Sequence, residues 1–121
     1  MRTLVLQKDE RDRAMDDVTI LYTTWPDAET ASAFARVAVQ TRLAACANVL
    51  APMTSVYRWE GQLRREAETP MLLKTTAAMA PRLRDAILQS HPYDVPCIVA
   101  LGVEAAASNP AFARWIGEQI G

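Results

Sequence analysis

Histidine appears once in these 121 residues, as His91, and cysteine twice, as Cys46 and Cys97. Zinc normally takes three or four ligands from protein, so one chain is short of soft donors for a complete centre. Four glycines leave no glycine-rich loop able to cradle phosphates. No apolar run approaches the roughly 20 residues that cross a bilayer. The stretch Thr3 to Leu6 is too short, and too soon followed by charge, for the core of a signal peptide. With no export signal, two cysteines fit a reducing cytoplasm better than a disulfide scaffold. The formal net charge of -1 gives no general pull toward nucleic acid or anionic lipid, and a basic patch interleaved with aromatics is missing as well. Ser55, Ser90 and Ser108 lie in no nucleophile-elbow pattern, and His91 has no evident acid partner. These absences point away from an enzyme, a nucleic-acid binder and a membrane protein.

What is present is an ordinary globular composition, half hydrophobic and 22% charged, at a length suited to one domain. "QKDERDRAMDD" is dense in charge of both signs without an apolar period. Residues 1–16 therefore read as a disordered or weakly helical tail, and residues 17–121 as a single domain. "VTILYTT" (18–24) reads as a buried strand that stops at Pro26. Asp27 offers an N-cap, and Ala31, Phe34, Ala35, Ala38 and Arg42 predict a helix over 28–42. A second helix has Pro81 in its first turn, turns Leu83, Ile87 and Leu88 inward, and ends before Pro92. "CIVALGV" is a continuous apolar run and reads as a buried strand. Asn109-Pro110 opens a short terminal helix whose apolar face is Phe112, Trp115 and Ile116.

Between these lies a long hairpin. Ala47, Val49, Ala51, Met53, Ser55 and Tyr57 alternate as one largely apolar face, and Leu63, Ala67, Met71 and Leu73 as another. A three-residue loop of Trp59, Glu60 and Gly61 predicts the pairs Tyr57–Leu63, Met53–Ala67, Val49–Met71 and Ala47–Leu73. Each arm runs about 13 to 14 residues, against a typical strand of about 5 to 6. An edge that long has no partner within the domain and invites a second chain, so the hairpin predicts oligomerisation. Pro52 and Pro70 interrupt its ladders. The element order gives an α+β, ferredoxin-like fold, βαββαβ plus a C-terminal helix, with an antiparallel sheet ordered 4-1-3-2 and helices on one face.

"TRLAACANVL", "SVYRWEGQLRREAE", "LLKTT" and "SHPYDVP", in this order and spacing, resemble the CutA divalent-cation tolerance proteins from about Val18 onward. The resemblance implies a tight homotrimer whose long hairpins pair between subunits. It also implies a likeness to PII-type signalling trimers, an association with copper tolerance, and no established catalytic reaction. Three positions depart from the family pattern. Cys97 stands where a glutamate usually follows the proline, and Tyr22 and Ala86 stand where some members have cysteines. Cys46 matches a cysteine that recurs in the family.

His91 and Cys97 are six residues apart, so shared coordination requires the turn between Pro92 and Pro96 to fold back. The plainer reading makes His91 a helix-terminal residue and Cys97 a small buried one. Cys46 and Cys97 open strands at opposite sheet edges, roughly 14 Å apart, too far for a disulfide or a shared ion within one chain. Cys46, His91 and Cys97 are therefore a metal set only across a subunit boundary, suited to copper or zinc. Lys74 and Tyr93 are candidates for a small anionic ligand, although such a lysine more often spreads its stem over the sheet. Tyr57 and Trp59 are candidates for the trimer interface, where aromatics are enriched. Glu66 and Glu68 read as solvated salt-bridge partners of Arg64 and Arg65 or of their symmetry mates. The leading expectation is a cytoplasmic, non-enzymatic homotrimer of copper tolerance that requires no cofactor and binds copper or another soft divalent cation weakly. The alternative is a PII-like signalling trimer that binds a small anion or a partner protein at its subunit clefts.

Overall fold

A computed structural model describes residues 17–121; the charged tail expected at 1–16 lies outside them. The elements are β1 (Val18–Trp25), α1 (Ala28–Gln40), β2 (Cys46–Val49), β3 (Met53–Trp59), β4 (Gln62–Thr76), α2 (Ala80–Ser90), β5 (Ile98–Gly102), a 3-10 turn (Ala105–Ala107) and α3 (Pro110–Gln119). The sheet runs β2-β4-β1-β5 with every pairing antiparallel. With β2 and β3 taken as one arm, this is the 4-1-3-2 order the sequence predicts.

Local chemistry sets the helix boundaries. Thr30 N–H donates to Asp27 Oδ1 at 2.7 Å, which occupies one of the free donors that every helix start leaves. Hydrogen bonding from Thr30 holds the exposed Asp27 carboxyl below its ordinary value. Asn109 repeats the device on α3, accepting from Ala111 N–H at 3.0 Å. The first helix stops two residues earlier than its spacing predicts. Arg42 takes φ 62, and the bonds Leu43 N–H to Ala38 O and Arg42 N–H to Val39 O close α1 in a Schellman motif with arginine where glycine is usual. That arginine reaches across to donate to Glu118 O at 2.7 Å and Gln119 O at 2.9 Å, covering carbonyls at the end of α3.

The main core lies between α1, α2 and one sheet face. Leu21, Trp25, Met71 and Leu73 from the strands meet Ala31, Phe34 and Ala38 of α1 and Leu83 and Ile87 of α2, all buried. A smaller cluster joins Val18 and Ala45 to Ala113 and Ile116 of α3. Strand alternation puts Val18 and Lys74 on the opposite face from Leu21 and Leu73, so α3 crosses one end of that second face. Among the described residues, no helix covers the rest of it, including Ile20, Tyr22, Leu72, Val99 and Leu101 by register.

Several expectations need correction. The inner hairpin keeps the expected pairs Val49–Met71 and Ala47–Leu73, but the outer half is shifted by one residue, pairing Tyr57 with Arg64 and Met53 with Glu68. One extra residue sits in Leu50–Pro52. Leu50 N–H donates to Pro70 O, but neither Pro70 nor Pro52 has an N–H to continue the ladder, and the arm breaks into β2 and β3. The turn therefore has two residues, Glu60 and Gly61, both at positive φ as a type I′ turn requires, and Trp59 joins the ladder opposite Gln62. The apolar faces consequently do not coincide in the outer half. The strand expected to be buried, β5, is instead an exposed edge, because β1 flanks it on one side only. Leu88, Phe112 and Trp115 point outward, with α3 using the small Ala113 and Ile116 for its contact.

Candidate functional site at the root of the hairpin

Pairing between β1 and β4 begins at Trp25–Thr69; beyond it β4 continues alone with β3 as a ribbon. At this junction the end of β1, the start of the ribbon and the segment after α2 come together. Trp25 is fully buried. Its Nε1–H donates to Thr23 Oγ1 at 2.8 Å, and that hydroxyl donates to Met71 O at 2.9 Å, so the indole's one donor is satisfied inside the core. Its ring stacks on Phe34 and lies 4.3 Å from the His91 ring, centroid to centroid.

His91 is 8% exposed. Nε2 lies 2.8 Å from Thr24 O, and Tyr93 N–H donates to Nδ1 at 3.1 Å. A carbonyl only accepts, so Nε2 carries the proton, and the acceptor role of Nδ1 makes the ring the neutral Nε2–H tautomer. Both nitrogens are occupied by backbone.

Around this ring the chemistry is acidic. Burial, followed by the charges of Glu68 and Glu66, pushes the Tyr93 phenol above its ordinary value. Hydrogen bonding to Glu66 does the same for Tyr57, helped by burial and by the charges of Glu66 and Glu68. Burial raises the Cys97 thiol, opposed by a hydrogen bond with Thr24 and reinforced by Glu68. The two phenols and the Cys97 thiol thus share one negative environment beside Glu66 and Glu68, which favours their protonated forms.

The sequence-derived candidates are distributed unevenly over this frame. His91 and Cys97 both bear on Thr24, His91 at its backbone carbonyl and Cys97 through its hydrogen bond with that residue. Cys46 does not join them: it pairs with Lys74, which pairs with Ile20. Three strand spacings across and four residues along give a separation of roughly 19 Å from Cys97. Both cysteines are free thiols. Among the described residues of one chain, no three His, Cys, Asp or Glu side chains are grouped to hold an ion, so the donors present do not fit a metal centre within a single subunit. Lys74 Nζ lies 5.5 Å from the Phe112 ring centroid, in cation–π range. It pairs with Ile20, about 13 Å along β1 from Thr24, whose carbonyl holds the His91 ring that Tyr93 N–H bonds, so these two do not share a site. Tyr57 is half-buried and Trp59 is 45% exposed on the ribbon. Glu66 and Glu68 form no ion pair with Arg64 or Arg65 among the described residues; Tyr57 and Tyr93 are their neighbours instead. Sequence reasoning gave these two carboxylates to salt bridges on a solvated face and passed over Trp25. Trp25 was legible as the next residue in phase with Leu21 and Thr23.

The family model described as CutA1 divalent ion tolerance protein matches residues 19–119. The chain belongs to the CutA1 family. The CutA divalent-cation tolerance protein of Thermus thermophilus is 38% identical over 107 residues, 88% of this chain and 100% of that protein. Protein CutA of Mus musculus is 35% identical over 99 residues, 82% of this chain but 55% of the mouse protein, so the chain spans about half of that relative. The solved Cut A1 structure from Thermus thermophilus superposes with a TM-score of 0.81 at 38% identity, covering 86% of this chain and 99% of that one. The ferredoxin-like architecture is the CutA fold, and divalent-cation tolerance is what the family is named for.

Proposed function

We propose that this chain acts in divalent-cation tolerance as a non-enzymatic homotrimer that holds a soft cation, copper foremost, weakly at its subunit boundaries, with both thiols reduced in the cytoplasm. The observation that carries the cation reading is the sign of the field at the hairpin root, where Glu66 and Glu68 bear on Tyr57, Tyr93 and Cys97. A cation brought there relieves crowded negative charge, whereas an anion adds to it. The same field argues against a PII-like site in which Tyr93 helps to grip an anion.

Assembly is supported by the uncovered sheet face, since contiguous exposed apolar surface marks an interaction site. It is supported too by the open edges along β5 and the β2–β3 arm, whose backbone groups call for a partner strand. Across a subunit boundary, Cys46 of one chain and Cys97 of another are free to meet, and thiolates suit copper.

Light scattering at micromolar concentration should give the mass of three chains. The thermal midpoint should then rise with copper(I) or zinc and stay still with a nucleotide and metabolite panel, because a native-state ligand stabilises by mass action. Cys46→Ser, Cys97→Ser and Glu68→Gln should each weaken copper binding about tenfold, or about 1.4 kcal/mol. A monomer, or a midpoint that moves with nucleotides and ignores cations, would sink this reading.

A further inference from the structure

The cation reading makes His91 the obvious imidazole ligand, and the geometry opposes that. We infer that His91 is a two-sided internal latch that positions Tyr93 beside the hairpin carboxylates, and is not itself a cation ligand. Pairing between β1 and β5 ends at Thr23–Ile98, which leaves the Thr24 carbonyl one residue past that ladder. The Nε2–H of His91 supplies its donor at 2.8 Å. On the other side of the ring, Nδ1 accepts the Tyr93 N–H at 3.1 Å and so sets the first turn of the segment leaving α2. The ring cannot swivel freely to release either nitrogen. It is buried against the Trp25 indole at 4.3 Å and faces the Tyr93 ring at 4.8 Å. A metal at Nε2 would strip the Thr24 carbonyl of its donor inside the protein, and a metal at Nδ1 would strand the Tyr93 N–H; either loss is costly for a buried group.

The bond from Tyr93 N–H to a side-chain acceptor two residues earlier is the geometry that an asparagine oxygen makes in an Asx turn. That equivalence supplies the test. H91N keeps an acceptor for Tyr93 and loses the Thr24 donor; H91F keeps an aromatic ring and loses both bonds. The latch stands without any cation, while its effect on affinity rests on the cation reading above, so the two are measured separately.

Nitrogen-detected NMR of the intact protein should find His91 with Nε2 protonated and Nδ1 bare. Both resonances should stay in place when zinc is added to saturation. The Tyr93 amide should exchange slowly in wild type and H91N and fast in H91F. Zinc affinity should fall about tenfold in H91F, as for loss of an orienting partner, and recover most of that in H91N. If H91F does not fold, H91Q replaces it, since glutamine can donate to Thr24 but has no acceptor placed for Tyr93. If zinc does not bind at all, the tautomer and the exchange rates decide alone. A Nδ1–H or mixed tautomer, a zinc-induced shift of either ring nitrogen, or equal loss of zinc affinity in H91N and H91F with the Tyr93 amide still protected in H91N would overturn the inference.

Discussion

Under α1 and α2, the side chains of Leu21, Trp25, Met71 and Leu73 keep at most 2% of their surface, whereas across the same sheet Val99 and Leu101 keep 48% and 43%. The two faces are built from similar residues, β-branched, aromatic and aliphatic. They differ in what the chain lays over them. Two helices seal the first face, α1 through an alanine-rich stripe and α2 through Leu83 and Ile87; among the described residues only α3 reaches the second, and only at one end. Sealing one face accounts for a subunit that folds, and the bare one is the surface on which the proposed assembly rests.

That contrast can be broken at either face. The largest change should come from charging the bare one. The double variant V99D/L101D should abolish assembly, reducing the mass in light scattering to one chain while leaving far-ultraviolet dichroism intact. If the variant stays assembled, the bare face is not the interface. On the sealed face, Trp25→Ala should cost about 3 to 5 kcal/mol in denaturant unfolding, because the cavity falls among residues that cannot collapse onto it. It should also loosen His91, which packs on that indole. A loss below about 1 kcal/mol would mean the junction is softer than its burial implies.

Smaller effects should follow at the helix ends. Asp27→Ala should lower the thermal midpoint modestly, by losing the bond to Thr30. Because the folded Asp27 carboxyl titrates below its ordinary value of 3.8, its stabilisation is present above that value. It fades as the pH falls through the lower folded one. Wild type and Asp27→Ala should therefore converge in stability under strong acid, and a gap that widens there would contradict the cap. Smallest of all, Arg42→Gly should leave global stability within about 1 kcal/mol, because relief at positive φ offsets the lost guanidinium bonds. It should nevertheless speed amide exchange at the end of α3, where Arg42 covers the Glu118 and Gln119 carbonyls.

Period-2 and helical spacing were enough to read the element order, cap residue types gave the Asp27 and Asn109 helix starts, and the 4-1-3-2 sheet followed as the usual strand order of the ferredoxin-like arrangement that this element order suggests. The outer hairpin register was not legible. Alternation through Met53, Ser55 and Tyr57 looks the same with or without an extra residue upstream, and only the missing N–H groups of Pro52 and Pro70 hint at a break. Burial of β5 was misread for a related reason. A continuous apolar strand has the same sequence whether its own chain or a neighbour covers it. Of the candidate site, His91 and Cys97 stood out by rarity, and their approach through Thr24 depends on a turn whose path spacing does not fix. Glu66 and Glu68 were assigned to solvent because the polar face of a strand looks solvated until the loop after α2 is placed beside it.

The two arms of the hairpin enter the sheet differently. β4 runs unbroken for 15 residues from the turn to the sheet centre, with Thr69, Pro70 and Met71 buried where it passes from ribbon to sheet. The opposing arm is interrupted at Leu50–Pro52. Mechanically the ribbon is a lever with one stiff rail and one jointed rail. A push on its tip bends the jointed side first and is carried inward by β4, past the carboxylates of Glu66 and Glu68 and on to the residues packed beneath Trp25. Docking the tip on a neighbouring subunit would therefore fix the angle at which those carboxylates meet Tyr93.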